Sequence, residues 1–413
     1  MADSTLLRPT MIKKKSMTAY TLPVWSFVLA SMVATVLMID PTRAGWGSSR
    51  VPWLKYLPIE LSAVAIGLDL ARRQRWRFAW PEYFLGVLFV WMLGGSMYSI
   101  TVNGNDLMHS WLGRSLNMIS FLAGYRIFNR RRTQMLVARK LGKILLAAFW
   151  AMLCITVLYV TDIAWQDLPQ VYHIEAAFIL SVVTTEYIAN ARKFRHFWWG
   201  GFLVTAFALI RVGKFSTYIF ISVALVSILI YELYKYDLRM AANTLSKKSL
   251  RLSQIGLTLA LICFSVLLAR NVVYARIKKS VPVRQRTFTE RVAMWSESPL
   301  MGTNFVGSPV LSVDSLLIPA HSDWLDLMAF GGVVGMVLFS LPLLRYIWKV
   351  WESIPQIARY PLPIKRIVVF STIYLVMMMI SMMVNPFLEK PALSFWFWAS
   401  AGVLAAVFKE DYR

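Results

Sequence analysis

The sequence predicts an all-α polytopic membrane protein of about twelve spanning helices, with one long outer loop between the ninth and tenth. Three observations carry that expectation. Apolar side chains make up 58% of the 413 residues and charged ones only 16%, at a mean hydropathy of +0.55, which is too little polar surface for a water-soluble chain of this length. Apolar runs of about 17 to 22 residues recur along the chain, the length at which a helix crosses a bilayer core. Clusters of Lys and Arg separate alternate runs, as they do where cytoplasmic loops collect positive charge.

The first run, 20–39, follows Lys13, Lys14 and Lys15 in the manner of a secretion signal, but no small-residue cleavage site follows it, so it reads as a retained first helix. Further runs at 53–71, 82–100, 107–126, 141–160 and 172–191 complete the first half. The second half gives 197–211, 215–234, 252–270, 323–344, 366–384 and 392–408. Basic clusters at Arg72 to Arg77, Arg130 to Lys143, Arg192 to Arg195, Lys235 to Arg251 and Arg345 to Arg366 all fall on the same side as Lys13 to Lys15, Lys409 and Arg413. Both termini are therefore expected in the cytoplasm, and most of the net charge of +23 is a consequence of topology rather than a sign of nucleic acid binding. There is no internal repeat, low-complexity tract or separate soluble segment, so 1–413 reads as a single transmembrane domain.

The loop at 271–320 breaks the charge rule. Arg270, Arg276, Lys278, Lys279, Arg284, Arg286 and Arg291 face only Glu290, Glu297 and Asp314 on the side that disfavours cations. Two readings compete: a stretch solvated or facing lipid headgroups, because long loops translocate despite their charge, or a site for an anionic ligand held by charge-assisted hydrogen bonds.

At the end of this loop, Ser322 has the character of an N-cap and Asp323 favours a first helical turn, which sets His321 at the outer mouth of the tenth helix. A helix N-terminus disfavours imidazolium, so a neutral imidazole able to accept a proton is expected there; a tolerated interfacial histidine is the alternative. Arg291-Val292-Ala293-Met294-Trp295 and Ser298-Pro299-Leu300-Met301-Gly302 read as a short segment and a turn, the turn either bringing backbone close to a ligand or simply closing the loop. Arg114 falls inside the fourth span or at its outer end, and an ionisable residue at that depth is a candidate for function. Glu186, Asp326 and Asp69 fall near helix ends and outline no carboxylate path across the bilayer. Cys154 and Cys263 lie in apolar runs and suggest no disulfide. His109, His173 and His196 have no metal-ligand spacing, and neither a metal nor another cofactor is expected.

The order Arg-x-x-x-Trp, Pro-x-x-Gly, then His321-Ser322-x-x-Leu325 running into Gly331, Gly332 and Gly335, with ten residues between Arg291 and Gly302, resembles the O-antigen ligase and O-antigen or exopolysaccharide polymerase family. The resemblance covers about 200–340 at the level of motifs. That family also tends to carry a Ser-Arg or Thr-Arg pair between its seventh and eighth spans; here the turn reads Arg211-Val212-Gly213-Lys214-Phe215-Ser216-Thr217, with Lys214 at the arginine's place and Arg211 one turn earlier. Lys brings a point charge without the bidentate fork of Arg.

The resemblance implies an enzyme of the bacterial inner membrane, with its long loop in the periplasm. Its donor would be a glycan on undecaprenyl diphosphate, and its acceptor a sugar hydroxyl on lipid A-core or on another lipid-linked glycan. His321 is then the base, Arg291 and Lys214 stabilise the leaving diphosphate, and Arg211, Arg284, Arg286 and Arg114 bind substrate. Metal-independent, inverting transfer is expected, with ligase and polymerase differing only in acceptor. A glycolipid flippase is the rival from another class, and would call for midplane charges and repeated halves that the sequence does not clearly show.

Overall fold

The computed structural model describes residues 15–39, 54–71, 78–103, 108–129, 131–160, 175–190, 192–212, 215–240, 285, 288–303, 322–383, 387–388 and 390–408. Within them the chain is helical and no strand occurs. The helices are α1 (Lys15–Ile39), α2 (Leu57–Leu70, after a 3-10 turn at Leu54–Tyr56), α3 (Trp80–Asn103), α4 (Met108–Asn117), α5 (Ile119–Phe128), α6 (Arg131–Val160) and α7 (Glu175–Ala189). There follow α8 (Arg192–Val212) and α9 (Phe215–Met240), a short α10 at 288–297, then α11 (Asp323–Glu352), α12 (Ile354–Arg359), α13 (Leu362–Ser381) and α14 (Pro391–Val407). The expected ninth span at 252–270, and the loop at 271–320 apart from 285 and 288–303, lie outside the described residues.

Segments Thr21–Ile39, Thr133–Val157, Asp323–Glu352 and Leu362–Ser381 are long and apolar enough to cross a membrane. The outer surface agrees with that solvent. Exposed apolar residues recur every three or four positions at Leu22, Trp25, Leu29, Met32 and Val36 of α1, and at Val333, Val337, Leu341, Leu344, Trp348 and Trp351 of α11. A water-soluble bundle turns such stripes inward; a helical membrane protein presents them to hydrocarbon.

Two helices form the centre. From Pro391 to Ala406 every residue of α14 is buried, and so is every residue of α7 except Tyr187. A helix apolar all round has no solvent face to offer, so neighbours enclose it. Small residues bring α5 and α14 close: a Cβ on Gly124 would lie 2.7 Å from the Ala399 carbonyl oxygen, and one on Gly402 would lie 2.8 Å from the Tyr125 nitrogen.

The expected fourth span runs as α4 and α5 with only Met118 between them, whose φ −64° and ψ −16° stay helical. The helix tightens there, the Met118 and Phe121 N–H groups donating three residues back to Ser115 O and Met118 O, both at 3.0 Å, while the Asn117 side-chain amide donates to Leu388 O at 2.8 Å. Conversely, α6 begins well before its apolar run at 141, because a basic stretch continues the helix beyond the lipid-facing part.

Carboxylates and their partners sit at the two ends of this bundle. At one end Arg126 pairs with Asp69 at 2.5 Å, Tyr346 donates to Glu82 at 3.0 Å, Arg366 pairs with Glu186 at 2.8 Å and Arg195 with Glu232 at 3.1 Å. At the other end lies the cluster around Asp326. Asp326 and Tyr346 lie twenty residues apart in the chain, on opposite sides of the Gly332 break in α11.

Candidate functional site

The N-terminus of α11 is held by two remote side chains and by the backbone of two further segments. Ser322 caps it, its Oγ accepting from Leu325 N–H at 3.3 Å while donating to Met382 O at 2.8 Å beyond the end of α13. Trp324 donates its indole N–H to Met379 O at 3.0 Å. Asp323, fully buried, accepts through Oδ2 from the backbone N–H groups of Phe387 at 2.7 Å and Leu388 at 3.1 Å. These bonds fix where the helix begins, and hence where the residue before Ser322 attaches.

One turn into α11, Asp326 accepts from two arginines. Arg114 of α4 donates through Nη1 at 2.7 Å to Oδ2, and Arg291 of α10 donates through Nε at 2.8 Å to Oδ1. Arg114 Nη1 also lies 3.8 Å from Asp323 Oδ1. All four residues are nearly inaccessible, at 4% for both arginines, 0% for Asp323 and 2% for Asp326. Two carboxylates in the first turn complement the helix dipole, and two arginines complement the carboxylates, so the cluster is neutral as a unit. The Arg291 guanidinium lies over the Phe330 ring at 5.7 Å, and its Nη1 contacts Met294 Sδ at 3.7 Å.

The spacing along α10 explains why Arg291 points there: Arg291 and Met294, three residues apart, form its buried face, while Ser296 and Glu297 are exposed. Trp295 donates its indole N–H to Pro299 O at 3.1 Å and so folds the Arg-x-x-x-Trp segment onto the Pro-x-x-Gly turn that follows. That turn packs against α11, which breaks at Gly332 with φ +58° and ψ −161°. Its backbone thus comes close to a helix of the chain itself.

Arg291 and Arg114, expected from sequence as site cations, are brought together on one carboxylate. Arg211 belongs to the last turn of α8, and its side chain is outside the described residues, as are His321, Lys214, Arg284 and Arg286. Asp326 and Asp323 were missed as site residues. The signal was present: two acids three residues apart, opening an apolar helix, need buried cationic partners. Among the described residues no group of three or more His, Cys, Asp or Glu is placed to hold a metal ion. No family model matches the chain, and no curated protein matches it either.

Proposed function

We propose that this protein is an inner-membrane glycosyltransferase that moves a glycan from undecaprenyl diphosphate to a sugar hydroxyl at the periplasmic face, acting as an O-antigen ligase on lipid A-core. The observation that carries the reading is the convergence of Arg114 and Arg291 on Asp326 in the first turn of α11, next in the chain to His321 and Ser322. It supports the order of motifs from which the family resemblance was drawn.

In this reading His321 takes the proton of the acceptor hydroxyl as its oxygen bonds to the anomeric carbon. The bond from that carbon to the diphosphate oxygen breaks, and undecaprenyl diphosphate leaves with the electron pair. A single displacement inverts the anomeric centre. Preorganised cations favour the charge that develops on the leaving group more than the ground state, which is the condition for acceleration. Arg114 and Arg291 are balanced by Asp323 and Asp326, so further positive charge is required. Lys214, Arg211, Arg284 and Arg286 are assigned to supply it, beside Arg291, which Asp326 holds in orientation through Nε. With that many cations the diphosphate needs no divalent metal. The apolar stripes offer the polyprenyl chain and membrane lipids a matching surface.

A polymerase of O-antigen, capsule or exopolysaccharide uses the same chemistry with a lipid-linked glycan as acceptor. A transporter draws on a separate observation, the break in α11, because discontinuous helices bind substrates in many transporters. Here the turn at 299–303 already pairs with backbone groups at the break, which argues against a substrate site there.

The test is complementation of a deletion strain with wild type, His321→Ala and Arg291→Ala, scored by surface glycan and by the amount of protein in the membrane. Loss of all glycan on lipid A-core is the ligase outcome, and one remaining repeat unit is the O-antigen polymerase outcome. Intact lipopolysaccharide with a missing secreted polymer points to exopolysaccharide. Normal glycan from both well-expressed variants would overturn the catalytic assignment.

A further inference from the structure

Two glycines with left-handed backbone, Gly302 at φ +72° and Gly332 at φ +58°, face each other across the contact between the 298–303 turn and α11. A Cβ on Gly302 would fall on the Phe330 carbonyl and 2.6 Å from Gly331 N; one on Gly332 would lie 2.6 Å from Gly302 N and against the Leu300 carbonyl. No L-residue other than glycine fits either place without moving backbone.

The hydrogen bonds show what the close approach achieves. In an unbroken helix the Val333 and Val334 N–H groups would donate to Ala329 and Phe330 carbonyls. They donate instead to Pro299 O at 2.9 Å and Leu300 O at 3.0 Å. The Ala329 carbonyl accepts in turn from Thr303 N–H at 3.0 Å and Thr303 Oγ1 at 3.2 Å. The turn therefore substitutes for one missing step of helix, and backbone polar groups that apolar surroundings would leave costly are paired. The break is about 14 Å along α11 from Asp323.

We propose that Gly302 and Gly332 form an interlocking backbone joint that acts as a positioning device, holding α10 in register with the first half of α11 so that Arg291 meets Asp326 beside the start of the helix. The register of the joint does not depend on what the site acts upon, but its catalytic consequence rests on the proposed transfer reaction. A displacement of about 1 Å at a reacting centre can lower a rate about a hundredfold.

The test uses the full chain in lipid nanodiscs, with Cys154→Ser and Cys263→Ser as background. Spin labels at exposed Ser296 on α10 and exposed Leu344 on the second half of α11 report the joint by pulsed electron paramagnetic resonance, and a second pair at Leu29 and Val226 reports the rest of the bundle. Gly302→Ala and Gly332→Ala are expected to shift or broaden the first distance and leave the second unchanged. Gly335→Ala, whose Cβ meets only Leu327 at 3.8 Å and 3.9 Å, is expected to change neither. The same variants, in the wild-type background, are scored for surface glycan, with a loss of about a hundredfold expected from the two joint variants. An unchanged first distance in both overturns the joint. A changed first distance with normal glycan overturns its positioning role, provided that His321→Ala abolishes glycan. If His321→Ala and Arg291→Ala leave glycan intact, the transfer reaction fails as a reading and the distances alone decide the joint.

Discussion

Asp326 is the residue whose loss should be felt most. Removing one partner of a buried ion pair leaves an uncompensated charge, at a cost of about 3–5 kcal/mol, and here two arginines would be stranded together. Asp326→Ala is therefore expected to lower the unfolding midpoint of the detergent-solubilised protein sharply. Asp326→Asn combined with Arg114→Gln, which restores the balance of charge, should recover part of that loss. Equal stability of Asp326→Ala and wild type would mean that the bridge does not hold the solubilised protein together. Ser322→Ala is a milder change. It removes a cap worth about 1 kcal/mol and the bond to Met382, so a small drop in midpoint is expected with the Asp326 bridge retained.

Between elements, the crossing of α5 and α14 depends on the absence of side chains. Gly124→Val and Gly402→Val would drive methyl groups into the facing backbone. Both variants are expected to lose the monodisperse peak in size-exclusion chromatography. Gly67→Ala is the control, since a Cβ there meets nothing within 4 Å and a helical alanine is favoured over glycine by about 0.5–1 kcal/mol. Recovery of normal Gly402→Val protein would show that the helices separate more readily than their contact suggests. The same scale explains the joint on α11: glycine was legible at 302 and 332, but that the two glycines pack on each other was not, because their contact spans a stretch of chain with no regular period to read.

For the molecule as a whole, buried carboxylates and their partners gather at opposite ends of the bundle. Asp69, Glu186 and Glu232 lie at one end with their arginines and Glu82 with the Tyr346 hydroxyl, and Asp323 and Asp326 lie at the other. This is the arrangement that alternating helices produce when charge is kept out of hydrocarbon. It leads to a topology prediction: a fluorescent protein fused after Arg413 should be bright inside the cell, and alkaline phosphatase inserted at Asp314 should be active outside the cytoplasmic membrane. An active phosphatase at the C-terminus would reverse the orientation and move the Asp326 cluster to the cytoplasmic face.

Composition and periodicity alone determined that the chain is helical, with helices long and apolar enough to cross a membrane, and placed most of the described helices within a few residues, because length and apolarity are local properties. Arg291 and Arg114 were also visible singly, as cations in places where cations need a reason. Only the tertiary structure decided that they meet, since Arg114 and Asp326 are 212 positions apart and no local pattern encodes that distance. The break at Gly332 was hidden for the same cause, since it is held by hydrogen bonds to the 299–303 turn, which lies about thirty residues earlier in the chain.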